Sequence, residues 1–193
     1  MMREASLIRK TNETAVELCL SLDGEGKSEI ETGIGFFDHM LTLFARHGGF
    51  DLEIHCDGDL FVDAHHSIED IGIVLGDAIK EALGDKNGIR RYGSALIPMD
   101  ETLAEAVLDL SGRSYLVFNA EFTAERIGEF PTEMTEEFFR AVADRAGMTL
   151  HINLRYGKNN HHMAEGIFKA FGHALKDAVA IDGGGILSTK GVL

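Results

Sequence analysis

Between residues 16 and 22 the chain alternates, with Val16, Leu18, Leu20 and Leu22 apolar and Glu17, Cys19 and Ser21 between them. That period of two predicts a half-buried strand, and Leu108 and Leu110 against Val107 and Asp109 predict another. Elsewhere the period changes. Phe37, Met40, Leu41 and Phe44, and later Met134, Phe138 and Val142, fall on one face of a helix. "DLEIH" and "MTLHINL" read as short strands. Each is followed by a long helical stripe, Ile68, Ile71, Leu75 and Ile79 in one case and Ala164, Ile167, Phe171 and Leu175 in the other.

The order of these elements is written twice. "NETAVELCLSLDGEG" falls over "DETLAEAVLDLSGRS" with Glu13 on Glu101, an offset of 88 residues. "FFDHMLTLFARHGGFDLEIH" falls over "MTEEFFRAVADRAGMTLHIN" with Phe36 on Met134, an offset of 98, and the two long helices match with His65 on His161, an offset of 96. Small changes of offset are what loop insertions between retained elements produce, so an internal duplication is expected, with halves of about 1–88 and 89–193. Strands followed by helices, twice, predict an α+β sandwich of two similar sheets and two helix pairs.

Composition narrows the function. A net charge of −14 argues against nucleic acid and anionic membrane as partners. Any anionic substrate must be met by a few locally placed cations. Cys19 and Cys56 are too few and too unpatterned for a disulfide framework or a cysteine zinc site, which predicts two buried, reduced thiols and a cytoplasmic location. No apolar run approaches the roughly 20 residues that cross a bilayer, and "MMREASLIRKTNE" lacks the apolar stretch of a secretory signal.

The chemistry lies in "DAHHSIED" and "NNHHMAEG". On a helix His65 and Glu69 share a face, as do His161 and Glu165, whereas adjacent imidazoles diverge by about 100° and must address different partners. One isolated HHxxE reads equally well as a solvated helix terminus. Two copies whose histidines and glutamate coincide, while Ser67/Met163 and Asp70/Gly166 differ, point to metal ligands. Imidazole with carboxylate suits manganese, iron, cobalt or zinc. His39 is a further ligand candidate, and its counterpart Glu137 is also a ligand type. His47 and His55 have weaker claims, His151 reads as a structural strand residue, and His173 as decoration on a solvated helix face.

"GIGFFDHML", "DAHHSIEDIGI", "GIRRYG", "DLSGR", "NNHHMAEGIFKAF" and "STKGVL", in that order over essentially the whole chain, resemble the imidazoleglycerol-phosphate dehydratase family of histidine biosynthesis. The resemblance implies a duplicated α+β unit like the second domain of ribosomal protein S5, a 24-subunit homo-oligomer, and two manganese ions per active site. It implies as metal ligands His39, His65, His66, Glu69, His161, His162 and Glu165, with Glu137 where many relatives carry histidine. Glu69 and Glu165 then belong to the catalytic set, together with Glu13 as general base and His47 assisting in binding or proton transfer. Arg91, Arg113, Lys169 and Lys190 would bind phosphate, with Ser188 as a hydroxyl donor. No fused phosphatase domain is expected.

The implied substrate is D-erythro-imidazoleglycerol phosphate and the product imidazole acetol phosphate. Its carbon-bound proton is not acidic. Two metals on the ring nitrogens would favour the imidazolate and let it expel the adjacent hydroxyl, and the resulting diazafulvene would acidify the neighbouring C–H. Two other readings share the ligands. A metal-storage or metal-nucleated shell protein needs no phosphate-binding cations, and a phosphohydrolase would hold phosphate on an open metal. "DGGGILSTKG" lacks the P-loop pattern and is expected to be a mobile segment that closes over substrate.

Overall fold

A computed structural model describes residues 3–191. The first sheet contains β1 (Glu4–Lys10), β2 (Thr14–Ser21), β3 (Ser28–Glu31) and β4 (Asp51–Gly58), in the order β1-β2-β4-β3. Helix α1 (Gly35–Gly48) lies between β3 and β4 in the chain, and α2 (His65–Leu83) follows β4. The second sheet contains β5 (Tyr92–Met99), β6 (Thr102–Asp109), β7 (Tyr115–Asn119) and β10 (Thr149–Tyr156), in the order β5-β6-β10-β7. A hairpin of β8 (Arg126–Ile127) and β9 (Phe130–Pro131) precedes α3 (Met134–Ala146), and α4 (Asn160–Val179) follows β10.

The two sheets agree in register as well as in order. Glu17 pairs with His55 across β2 and β4, and Glu105 with Asn153 across β6 and β10. In each sheet one pair is parallel, β3 with β4 and β7 with β10. The alternation read from β2 holds, with Val16, Leu18 and Leu20 buried against the helices. Cys19, on the opposite face of that strand, is exposed and only Cys56 is buried, so the expectation of two buried thiols is corrected by the strand's own period.

Helices fill the space between the sheets and pair across the halves. Helix α2 packs on β1, β2 and α3, whereas α4 packs on β5, β6 and α1. Both crossings are close because a glycine faces a backbone carbonyl. A Cβ on Gly76 would stand 2.7 Å from the Val142 carbonyl oxygen, and one on Gly172 would stand 2.9 Å from that of Phe44. At the centre, Phe138 of α3 meets Phe37 of α1 at 5.2 Å between ring centroids and stacks on Phe168 of α4 at 5.4 Å. Burying each such ring contributes about 2–3 kcal/mol, so the junction of α1, α3 and α4 anchors the fold. Among the described residues, no helix is long and apolar enough to cross a membrane.

Candidate active site

Both histidine clusters occupy the first turn of a helix, each entered through a side chain that accepts a backbone N–H of the cluster. Asp63 accepts the backbone N–H of His65 at 2.8 Å, and Asn159 accepts those of His161 and His162 at 2.9 and 3.4 Å. These bonds fix where the helix begins, and therefore where each imidazole points. The neighbouring rings diverge, with interplanar angles of 78° for His65 and His66 and 81° for His161 and His162.

The first histidine of each pair turns toward the glutamate one helical turn on. Nε2 of His65 is 3.8 Å from Glu69, and Nε2 of His161 is 3.2 Å from Glu165. The second histidine donates Nδ1–H to a carboxylate, His66 to Asp59 at 3.0 Å and His162 to Glu101 at 2.8 Å. These carboxylates raise the proton affinity of both rings above the ordinary histidine value. They also fix the tautomer and leave Nε2 as the donor atom, the arrangement of metal-binding imidazoles.

Across the α1–α4 crossing, His39 completes a cluster. Donor atoms of His39, His161 and Glu165 all lie within 4.8 Å of one another, the one such group among the described residues. Glu165 is buried, which alone would push its carboxyl pKa up; Lys169, His161 and His39 outweigh this and hold it below the usual value. Two imidazoles and a carboxylate fit a divalent manganese, iron, cobalt or zinc ion. Lys169 is ion-paired with Glu165 and so borders this cluster.

The counterparts on the α2–α3 side are looser. His65 is as exposed as His161, but Glu69 is half exposed where Glu165 is buried, and Glu137 lies 3.4 Å from Nε of its own helix neighbour Arg140. Glu69 and Glu137 line one groove with Tyr115 and Arg145. Ile73 stands where the other helix has Lys169, so no lysine compensates these carboxylates.

His47 Nδ1 lies 3.2 Å from His173 Nε2. Burial, aided by the Lys169 charge, lowers the His47 pKa. His173 is therefore half-buried in the α1–α4 seam and not on a solvated face, a correction to the sequence reading. His151 sits on β10 with its side chain exposed.

Two of the cations assigned to phosphate gather elsewhere. Arg91, in a left-handed backbone conformation with φ of 72°, binds Asp109 through Nε at 2.6 Å and donates to the Leu187 carbonyl at 2.5 Å. Arg113 is exposed and reaches the same Asp109 at 3.9 Å. The last described segment runs beside residues 88–91, with Asp182 N–H bonded to the Gly88 carbonyl at 2.9 Å. Ser188 and Lys190 follow directly, Lys190 exposed and joined to Ser188 Oγ through its backbone N–H at 3.2 Å.

Glu13 and Glu101 occupy matching places before β2 and β6 but are used differently. The Glu101 carboxylate accepts from His162 and from the backbone N–H groups of Lys158 and Asn159 at 3.1 and 2.8 Å, and these bonds bring its pKa to about 2. Glu13 is half exposed, with Nε2 of His66 3.8 Å from its carboxylate. The orienting partners Asp59, Asp63, Asn159 and Glu101 escaped the sequence reading. Asp63 and Asn159, each two residues before a cluster's first histidine, were the one available signal, a cap-type residue preceding an apolar helical stripe.

The chain is similar to known proteins along its length. Residues 32–175 match the model of imidazoleglycerol-phosphate dehydratase. The chain is 60% identical to the imidazoleglycerol-phosphate dehydratase of Oceanobacillus iheyensis and 58% identical to that of Acetivibrio thermocellus, covering 100% of both chains in each case. Its structure resembles the crystal structures of the Staphylococcus aureus dehydratase, with a TM-score of 0.84 at 47% identity over 92% of this chain and 99% of that one. The Pyrococcus furiosus enzyme gives 0.85 at 36% identity, over 97% and 100% respectively. Doubled histidine clusters on a duplicated sheet-and-helix frame, with similarity along the full chain, place this protein in the imidazoleglycerol-phosphate dehydratase family of hydro-lyases.

Proposed function

We propose that the chain dehydrates D-erythro-imidazoleglycerol phosphate to imidazole acetol phosphate in histidine biosynthesis, using manganese. The observation that carries this reading is the convergence of His39, His161 and Glu165, from both halves of a chain that belongs to the dehydratase family. A bound metal would supply Lewis acidity to the substrate's imidazole ring.

The remaining work falls to side chains. His39, His65, His66, Glu69, Glu137, His161, His162 and Glu165 would hold two ions per active site, the two histidines of each diverging pair addressing different ions. Loss of the hydroxyl beside the ring gives a diazafulvene, which acidifies the adjacent C–H. Glu13 takes that proton, since its carboxylate borders Nε2 of His66 and is engaged by no backbone N–H, whereas Glu101 is fully engaged. His47, kept neutral by burial, assists in binding or proton transfer. Arg91, Arg113, Lys169 and Lys190 bind the phosphate, with Ser188 as a hydroxyl donor. A 24-subunit homo-oligomer, and an origin in two repeats meeting near residue 88, complete the reading.

The test is turnover of imidazoleglycerol phosphate by chelator-stripped protein with and without manganese, following ketone formation. Metal-dependent ketone supports the proposal. Tight manganese binding without ketone would reduce the clusters to storage or assembly sites.

A further inference from the structure

Asp70 follows Glu69 in α2 and is a buried carboxylate that the proposed chemistry does not use. It accepts from Nε of Arg9 at 2.8 Å and from the hydroxyl of the buried Thr14. Thr14 in turn shares a hydrogen bond of 3.2 Å with the Thr11 hydroxyl. Thr11 Oγ1 accepts the backbone N–H groups of Glu13 at 3.1 Å and Thr14 at 3.0 Å, while the Glu13 carbonyl accepts from Asp59 N–H at 3.1 Å. A continuous network thus runs from α2 to the turn that carries Glu13.

The second half shows that the fold does not require this network. At the positions matching Arg9, Thr14 and Asp70 stand Ile97, Thr102 and Gly166, with no carboxylate at that place on the helix. There, a Cβ on Gly166 would press on Ala104 Cβ at 3.2 Å and meet Thr102 Cγ2 at 3.5 Å, and the Thr102 hydroxyl turns to Glu101 at 3.4 Å. Glu101 is fixed by its own carboxylate bonds, whereas Glu13 has none to backbone and depends on the turn beneath it. A buried carboxylate is retained against its desolvation where the groups it orders matter.

We infer that Asp70, acting through Thr14 and Thr11, is a positioning residue that holds Glu13 against His66 for proton abstraction. The inference rests on the assignment of Glu13 as base. A misplaced base loses rate with little change in substrate binding.

The experiment is a double-mutant cycle on the metal-loaded enzyme, with metal content measured in every variant. Glu13→Gln is expected to lower kcat by ~10²-fold or more. Asp70→Asn is expected to lower kcat by ~10- to 100-fold with KM and metal content little changed, and to have no further effect in the Glu13→Gln background. Equal loss in both backgrounds would show that Asp70 acts through the fold or through Glu69, and would overturn the inference. Wild-type kcat in Glu13→Gln alone would remove the base assignment itself, and this inference with it. Thr14→Val and Thr14→Ser give an independent arm, also if Asp70→Asn does not fold. Val is expected to reproduce the Asp70→Asn loss and Ser to restore activity, and equal activities of the two would equally overturn the network.

Discussion

His47 and His173 bridge α1 and α4 at the place where Arg145 and Asp77 bridge α3 and α2. The first bridge is a single imidazole contact of 3.2 Å, and the second is a bidentate ion pair of 3.0 and 2.9 Å. The same structural position therefore carries a permanent charge pair in one helix crossing and a titratable pair in the other.

The titratable clasp predicts a pH dependence. The folded-state pKa of His47 lies below 6.5, so the unfolded chain binds the extra proton first on acidification. Its contribution to stability is present above pH 6.5 and is lost as pH falls from 6.5 toward the lowered folded value. The difference in urea midpoint between wild type and His47→Asn should narrow between pH 8 and pH 5.5. A gap independent of pH would mean that His47 is not held neutral.

Glu101 should behave as a structural acid. Its pKa of about 2 against an ordinary 4.5 means that its stabilisation is present above pH 4.5 and disappears as pH falls toward 2. Glu101→Gln is expected to lower the thermal midpoint at pH 7, with the deficit closing in acid. Glu13→Gln, by contrast, should leave the unfolding free energy within about 0.5 kcal/mol of wild type, as for an exposed surface change, while losing turnover.

Glu165 and Glu69 should differ in what their removal does. Glu165→Gln takes the buried ligand from the His39 and His161 cluster and should reduce bound manganese by one equivalent per chain, read by elemental analysis. Glu69→Gln should abolish turnover and weaken metal-dependent assembly, read by light scattering with and without manganese. Full metal content and activity in either variant would take that residue out of the site.

Arg91→Ala should raise KM by ~10-fold or more with a smaller change in kcat, because a phosphate contact remote from the reacting carbon contributes mainly uniform binding. An unchanged KM would count against the phosphate assignment.

Much of the fold could be read because its signals are periodic. β2, the two long helices and the doubled clusters all appear in the spacing of apolar and ligand residues. Other strands carried no such signal. β3 is the four-residue "SEIE", β5 contains Pro98, and β8 and β9 are two residues each, so their place is set by tertiary pairing. The pairing of His173 with His47 was hidden for a different reason: it joins residues 126 apart, and the partner helix was unknown. Sequence spacing also matched Glu13 with Glu101, but only the loop amides at Lys158 and Asn159 show that one is bound and the other free.

Neither half closes its own core, since each helix crossing draws one helix from each. Severed in the link at 84–91, the two pieces would present bare helix faces and would reunite only by a bimolecular encounter. The intact link makes that encounter internal, at an effective concentration on the order of millimolar for a short connection. The same link brings His39 to His161 and Glu165, so continuity of the chain and completeness of the metal cluster are one condition.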